Sequence, residues 1–143
     1  MVISGRCHCG NISFSLLWEP EPSEIPARAC TCSFCTKHGG VWTSCPNGSL
    51  KVVVADPSQV SRYAFGTKTA TFHICACCGV VPVVTSEIEG HLYAVVSVHA
   101  FEGVDPSLLR LASATFEGES EQTRLARRKQ NWIGNVQYVD AST

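Results

Sequence analysis

Eight of the nine cysteines in this 143-residue chain stand in three tight groups: Cys7 and Cys9; Cys30, Cys32 and Cys35; and Cys75, Cys77 and Cys78. Cys45 stands alone. Nine is odd, so a complete set of internal disulfides is excluded. Sulfurs one or two residues apart can reach a single ion from one turn of backbone, and zinc takes four such ligands in a tetrahedron. Gly10 and Gly79, each placed after a ligand pair, relieve the backbone where it must bend. A buried cysteine is often just a small apolar side chain. That reading suits Cys45, inside Trp42-Thr43-Ser44-Cys45-Pro46, but core packing has no reason to reproduce ligand spacing. A redox role for Cys75 and Cys78 lacks the βαβ pattern such a motif normally sits in.

With Cys77 set aside, the other seven grouped sulfurs make one four-ligand site and one three-ligand site. The pair Cys7 and Cys9 matches the pair Cys75 and Cys78, since both stand at strand-turn positions with glycine next in sequence. Together they form a closed, structural zinc site. In a strand Cys77 points away from Cys75 and is a bystander, although an exchange of roles with Cys78 stays open. The triplet Cys30, Cys32 and Cys35 is then an open zinc site, with one coordination position left for solvent or substrate. Two zinc ions per chain are expected, one structural and one catalytic.

A chain of 15.4 kDa with 45% hydrophobic residues has material for one core, and a single domain over residues 1–143 is expected. Residues 11–16 alternate so that Ile12, Phe14 and Leu16 share one face of a strand. Short β-branched or aromatic runs predict further strands at 41–44, 50–55, 59–65 and 70–74. Residues 80–88 and 91–101 flank Glu89-Gly90 and read as a hairpin. The prolines and acids of residues 19–24 make a surface loop. Asp105 followed by Pro106 predicts a short helical turn. Residues 117–129, with acids leading and bases trailing, predict a helix. The fold class is mainly β, with a short C-terminal helical segment.

The formal net charge of −1 argues against a broad nucleic-acid footprint. The N-terminal residues lack the apolar segment of a secretory signal, and the longest apolar stretch, residues 92–101, is far below the roughly 20 residues that span a bilayer. A cytoplasmic location without membrane contact is expected. In that reducing setting, clustered cysteines bind metal or do redox chemistry.

Four motifs in order, Gly5-x-Cys7-x-Cys9-Gly10, Cys30-x-Cys32-Ser33-x-Cys35-x-Lys37, Tyr63-x-Phe65-Gly66 and Cys75-x-x-Cys78-Gly79, resemble the glutathione-dependent formaldehyde-activating enzyme family, which also includes centromere protein V. The likeness covers about residues 5–100, leaving 101–143 as a divergent extension. It implies small antiparallel sheets around a structural zinc on Cys7, Cys9, Cys75 and Cys78, and a second zinc on the triplet. It also implies condensation of formaldehyde with glutathione to S-hydroxymethylglutathione, a carbon–sulfur lyase activity. Where the family pattern has His and Arg in the triplet segment, this chain has Thr31 and Thr36.

For an enzyme of this kind, Cys30, Cys32 and Cys35 with Lys37 and His38 are the candidate catalytic residues. Lys37, His38, Arg62 and Lys68 are candidates to hold an anionic, glutathione-like thiol, with an aldehyde as second substrate. His8 reads as an outward neighbour of two ligands, and Trp42, Phe65 and Phe72 read as core. An alternative is a non-catalytic zinc-stabilised binding or scaffolding module, favoured if His38 or Cys45 completes the second site. Nucleic-acid contact through Arg124, Arg127, Arg128 and Lys129 is opposed by Glu117, Glu119 and Glu121, and a solvated helix face explains these residues more simply.

Overall fold

The structure, a computed structural model, describes residues 1–116 and 118–140. Two sheets enclose the core. The first begins with β1 (Val2–Arg6) and β2 (Ile12–Leu17), an antiparallel pair whose connecting turn carries Cys7 and Cys9. In β2 the alternation holds: Ile12, Phe14 and Leu16 are buried. The second sheet begins with β3 (Ile25–Cys30), which leads through the one-and-a-half-turn helix α1 (Ser33–His38) to β4 (Val41–Thr43). The chain then returns to the first sheet as β5 (Ser49–Val54), antiparallel to β2, with Leu50, Val52 and Val54 buried.

β6 (Val60–Tyr63), β7 (Thr71–Cys75), β8 (Val83–Ile88) and β9 (His91–Ser97) form an antiparallel meander in the second sheet. Glu89 and Gly90 turn β8 into β9 with positive φ at both positions (54° and 78°), the geometry that matches the twist of a two-residue hairpin. The strand expected to run to residue 101 stops at Ser97. There the serine hydroxyl accepts from the His99 backbone N–H, and a 3-10 turn over Val98–Ala100 carries the chain across to the first sheet. It arrives as β10 (Phe101–Glu102), paired with β1.

After a 3-10 turn at Pro106–Leu108 capped by Asp105, β11 (Leu109–Ala114) lies parallel to β3. Helix α2 (Glu121–Asn131), capped by the Ser120 hydroxyl, and β12 (Asn135–Asp140), parallel to β5, complete the described chain. Glu117, the expected first residue of the C-terminal helix, lies outside the described residues. The strand orders are β10-β1-β2-β5-β12 and β11-β3-β4-β9-β8-β7-β6.

The mainly β expectation is met, but the sheets are mixed rather than purely antiparallel. Both parallel pairs join strands far apart in sequence, where no tight hairpin dictates an antiparallel return. Between the sheets Ile3, Ile12, Leu16, Ile25, Val52, Val83 and Val96 form the main core, which Ile133 also enters. A second cluster gathers Cys35, Trp42, Phe72, Val84, Val95 and Trp132. No helix of the described residues is long and apolar enough to cross a membrane.

Gly5, opposite Phe14 in the β1–β2 pair, is covered by that residue's ring, which packs edge-on against Phe101. A Cβ at Gly5 would fall within the Phe14 ring. Gly5→Ala is therefore expected to destabilise the domain by about 1–3 kcal/mol, the usual range for overpacking a filled core. Chemical denaturation of the two proteins side by side checks this.

Candidate metal centres and the adjoining cavity

Cys7 follows β1, and the turn after it closes through a hydrogen bond from the Gly10 N–H to the Cys7 carbonyl (3.1 Å). Cys75 ends β7, and the Gly79 N–H bonds back to its carbonyl (2.8 Å) with Gly79 at φ +80°. These two tight turns bring the sulfurs of Cys7, Cys9, Cys75 and Cys78 within 4.8 Å of one another. Cys7 and Cys9 Sγ are 3.8 Å apart, and Cys9 and Cys75 Sγ are 3.5 Å apart. A disulfide needs about 2.05 Å. Sulfurs about 2.3 Å from a tetrahedral zinc lie about 3.8 Å from each other, so the spacing is that of ligands.

The second group forms where β3 gives way to α1. Cys30 ends the strand, Cys32 is the helix N-cap, and Cys35 lies one turn into the helix. The Cys35 N–H donates to Cys32 Sγ (3.3 Å), and Trp42 Nε1 donates to Cys35 Sγ (3.4 Å). All three sulfurs again lie within 4.8 Å of one another. Each group can hold a metal ion, and an all-sulfur donor set suits zinc.

The thiols also report crowding. Burial raises the Cys78 thiol, yet N–H groups of Val80 and Cys9 and the neighbouring thiols outweigh it and bring it down to about 6. Burial pushes Cys75 up to about 12 and also raises Cys7. In the triplet, the Cys35 thiol donating to Cys30 brings Cys30 down to about 5, while Cys35 is pushed strongly up by that same contact and by burial. Cys78 and Cys30 carry charge readily, while Cys7, Cys75 and Cys35 resist. A divalent cation supplies the counter-charge that lets all of them ionise.

The triplet opens on a cavity of about 820 Å³. Trp42, Phe65, Phe72, Val84 and Val95 give it an apolar wall, so the aromatic residues read as core also face this space. Facing residues include Arg28 from β3 and Arg124, Arg127 and Arg128 from α2. Arg127 makes a forked pair with Glu119 (3.0–3.3 Å) and lies 3.6 Å from the centre of the Phe116 ring. Arg124 also pairs with Glu119 (3.7 Å). Arg128 is 6% exposed, and its Nη1 donates to the hydroxyls of Thr69 (2.8 Å) and Ser86 (3.2 Å). Burial, then the neighbouring Arg127 and Arg124, lower its guanidinium to about 10.

The sequence-predicted residues separate accordingly. The seven grouped cysteines fall into the two expected clusters. Cys45 is buried, its thiol donating to the Glu19 carbonyl, and Cys77 is exposed beside Gln59 Oε1. Neither joins a cluster. Lys37 and His38 are exposed at the end of α1 and do not line the cavity; the His38 ring packs on Phe34, with centroids 4.4 Å apart. Arg62 and Lys68 are likewise exposed and outside the lining, as is His8.

The solvated face expected of α2 is corrected by the structure, because Arg124, Arg127 and Arg128 turn inward to the cavity. A signal was present in the sequence. Positions 124, 127 and 128 share a helical face with Trp132, and arginine rather than lysine suits buried, stacked sites.

With this geometry in place, the family is shown by comparison. The profile of the family described as glutathione-dependent formaldehyde-activating enzyme matches residues 2–114, and the chain belongs to that family. A solved crystal structure of a Rhodobacter sphaeroides protein, a structural-genomics target, shares 29% identity with a TM-score of 0.59. That likeness covers 78% of this chain and 99% of the other. No curated protein matches.

Gly40 follows α1, and its N–H bonds to the Cys35 carbonyl (2.9 Å). A Cβ there would stand 2.9 Å from Trp42 Nε1, closer than a Cβ comes to another side-chain atom, and a crowded 3.1 Å from Cys35 Sγ. Gly40→Ala is expected to displace that sulfur and weaken metal binding at the triplet by about tenfold or more, the scale on which supporting contacts act. The four-cysteine group should be unaffected. Competitive zinc titration with a chelator resolves the two.

Proposed function

We propose that the chain is a zinc-dependent carbon–sulfur lyase that joins a thiol to formaldehyde, with glutathione as the thiol. Family membership supports this class of reaction. The observation that carries the site assignment is the triplet: three sulfurs without a fourth clustered ligand among the described residues, beside a cavity large enough for a small peptide. A structural site is normally closed by four ligands, whereas a catalytic one keeps a position free. In this reading Cys7, Cys9, Cys75 and Cys78 hold the structural zinc, and Cys30, Cys32 and Cys35 hold the catalytic one.

Zinc bound by the triplet would favour a substrate thiol as thiolate and draw charge from an aldehyde oxygen. The remaining work belongs to the chain. Trp42 Nε1–H steadies Cys35 Sγ, and the Cys35 N–H steadies Cys32 Sγ, so the ligand sulfurs keep their orientation. Trp42, Phe72 and Val95 present an apolar wall that excludes water from the sulfur and the aldehyde carbon. In the reaction the C=O π bond opens, a sulfur–carbon bond forms, and the thiol proton ends on the new hydroxyl. The reverse direction cleaves carbon from sulfur.

His38 and Cys45, either of which would have favoured a scaffolding role as a fourth ligand, do not join the triplet. We assign no catalytic step to Lys37 or His38, which lie outside the cavity lining. Free thiols at both sites suit a reducing compartment, the cytoplasm.

Elemental analysis of zinc-supplied protein is expected to give two zinc ions per chain, and a single tightly held ion would contradict the open-site assignment. Cys7→Ser should abolish cooperative folding or cost several kcal/mol, because a structural zinc contributes directly to folding. Cys32→Ser should lose one zinc and retain the fold. NMR exchange spectroscopy of formaldehyde with glutathione should show faster adduct exchange with wild-type protein and none of that acceleration with Cys32→Ser.

A further inference from the structure

The α2 side of the cavity holds more positive charge than its surroundings answer. Four arginines line the space, and among the described residues one carboxylate, Glu119, pairs with any of them. Glu119 serves Arg124 and Arg127 together. Arg128, nine-tenths buried, hydrogen-bonds only to hydroxyls, its guanidinium 5.0 Å from the centre of the Trp132 ring, and its Nε has no hydrogen-bond partner. Arg124 Nε is buried without a hydrogen bond, its ion pair to Glu119 spanning 3.7 Å, while Nη2 donates to the Phe116 carbonyl (3.3 Å). Arg28 makes one hydrogen bond, to Ser44 Oγ (3.3 Å), and has no acidic partner among the described residues. The Ser44 hydroxyl in turn donates to the carbonyl of Asn131 at the end of α2 (2.7 Å), tying the Arg28 wall to the helix.

A buried cation facing only neutral groups is costly, and a cluster of them repels itself. Such an arrangement is stable in use when an anion completes it, and the planar arginine fork matches a carboxylate with two parallel bonds. The apolar wall opposite gives the rest of a ligand a surface to lie on.

We propose that Arg28, Arg124, Arg127 and Arg128 form the receptor for the carboxylates of the thiol substrate and so set this chain's preference for an acidic over a neutral thiol, a claim that for its thiol rests on the adduct-forming reading above. Arg124, Arg127 and Arg128 lie beyond the segment the family profile matches, and Arg28 lies within it.

The test separates receptor from chemistry by using S-methylglutathione, whose sulfur has no proton to lose, and its diethyl ester, which lacks both carboxylates. Calorimetry with the zinc-loaded protein should show S-methylglutathione binding at least tenfold more tightly than the ester. Arg128→Gln and Arg28→Gln should each weaken S-methylglutathione by about 10- to 100-fold, the scale of a lost charge-assisted hydrogen bond, and leave the ester unchanged. If Arg128→Gln fails to fold by circular dichroism, Arg28→Gln, altering a half-buried residue with one hydrogen bond, carries the comparison.

Equal binding of acid and ester, or arginine variants indistinguishable from wild type, would overturn the receptor. Adduct formation with equal KM for glutathione and cysteamine would overturn it too, while leaving the lyase reading intact. The expected binding pattern without any acceleration of adduct exchange would support the receptor and defeat the lyase reading instead.

Discussion

Four sulfurs held within 4.8 Å of one another sit where the two sheets of this protein meet. Cys7 and Cys9 come from the turn that joins β1 to β2 in the first sheet, while Cys75 and Cys78 come from the end of β7 in the second. Close packing of thiols that resist ionising together is unfavourable until a cation balances them, and one ion held by all four would fasten one sheet to the other. The buried residues around this junction, Ile3, Ile12 and Val83 among them, then complete a core that neither sheet could build alone. Because β3 and β4 belong to the second sheet, the triplet between them inherits its position from this fastening.

The two sulfur groups were legible because ligand spacing is local. A pair of cysteines one or two residues apart implies its turn whatever the rest of the chain does. Strands with clear alternation, such as β2, and the Glu89-Gly90 hairpin were legible for the same reason. The strands β1, β3, β11 and β12 were not expected. β3 contains Pro26 and follows a Pro-rich loop, and β1 contains Gly5 and Arg6, so neither carries a plain strand pattern. β11 and β12 are held by parallel partners far away in sequence, a pairing that no local pattern announces.

The cations facing the cavity were misread for a related reason. Sequence proximity favoured Lys37 and His38, which directly follow the triplet, but a helix of six residues cannot keep successive side chains on one side. Cys35 faces inward, and Lys37 and His38 are left exposed. Of the arginines that do face the cavity, Arg28 precedes the triplet on β3, while Arg124, Arg127 and Arg128 arrive much later in the chain, on α2. Their acid-to-base order resembled an ordinary solvated helix, and the choice of arginine and the shared face with Trp132 were the informative details.

The parallel register of β11 on β3 sets Ala114 beside Cys30, and the family match ends at that residue. From there the chain leaves the sulfur ligands and passes over the cavity as α2. The backbone that carries the grouped cysteines and the helix that lines one side of the cavity are therefore separate stretches of chain. Substitutions on α2 would alter which small molecule the cavity accepts without disturbing the turns that hold the cysteines. A lineage can in this way keep one reactive centre and exchange its lock.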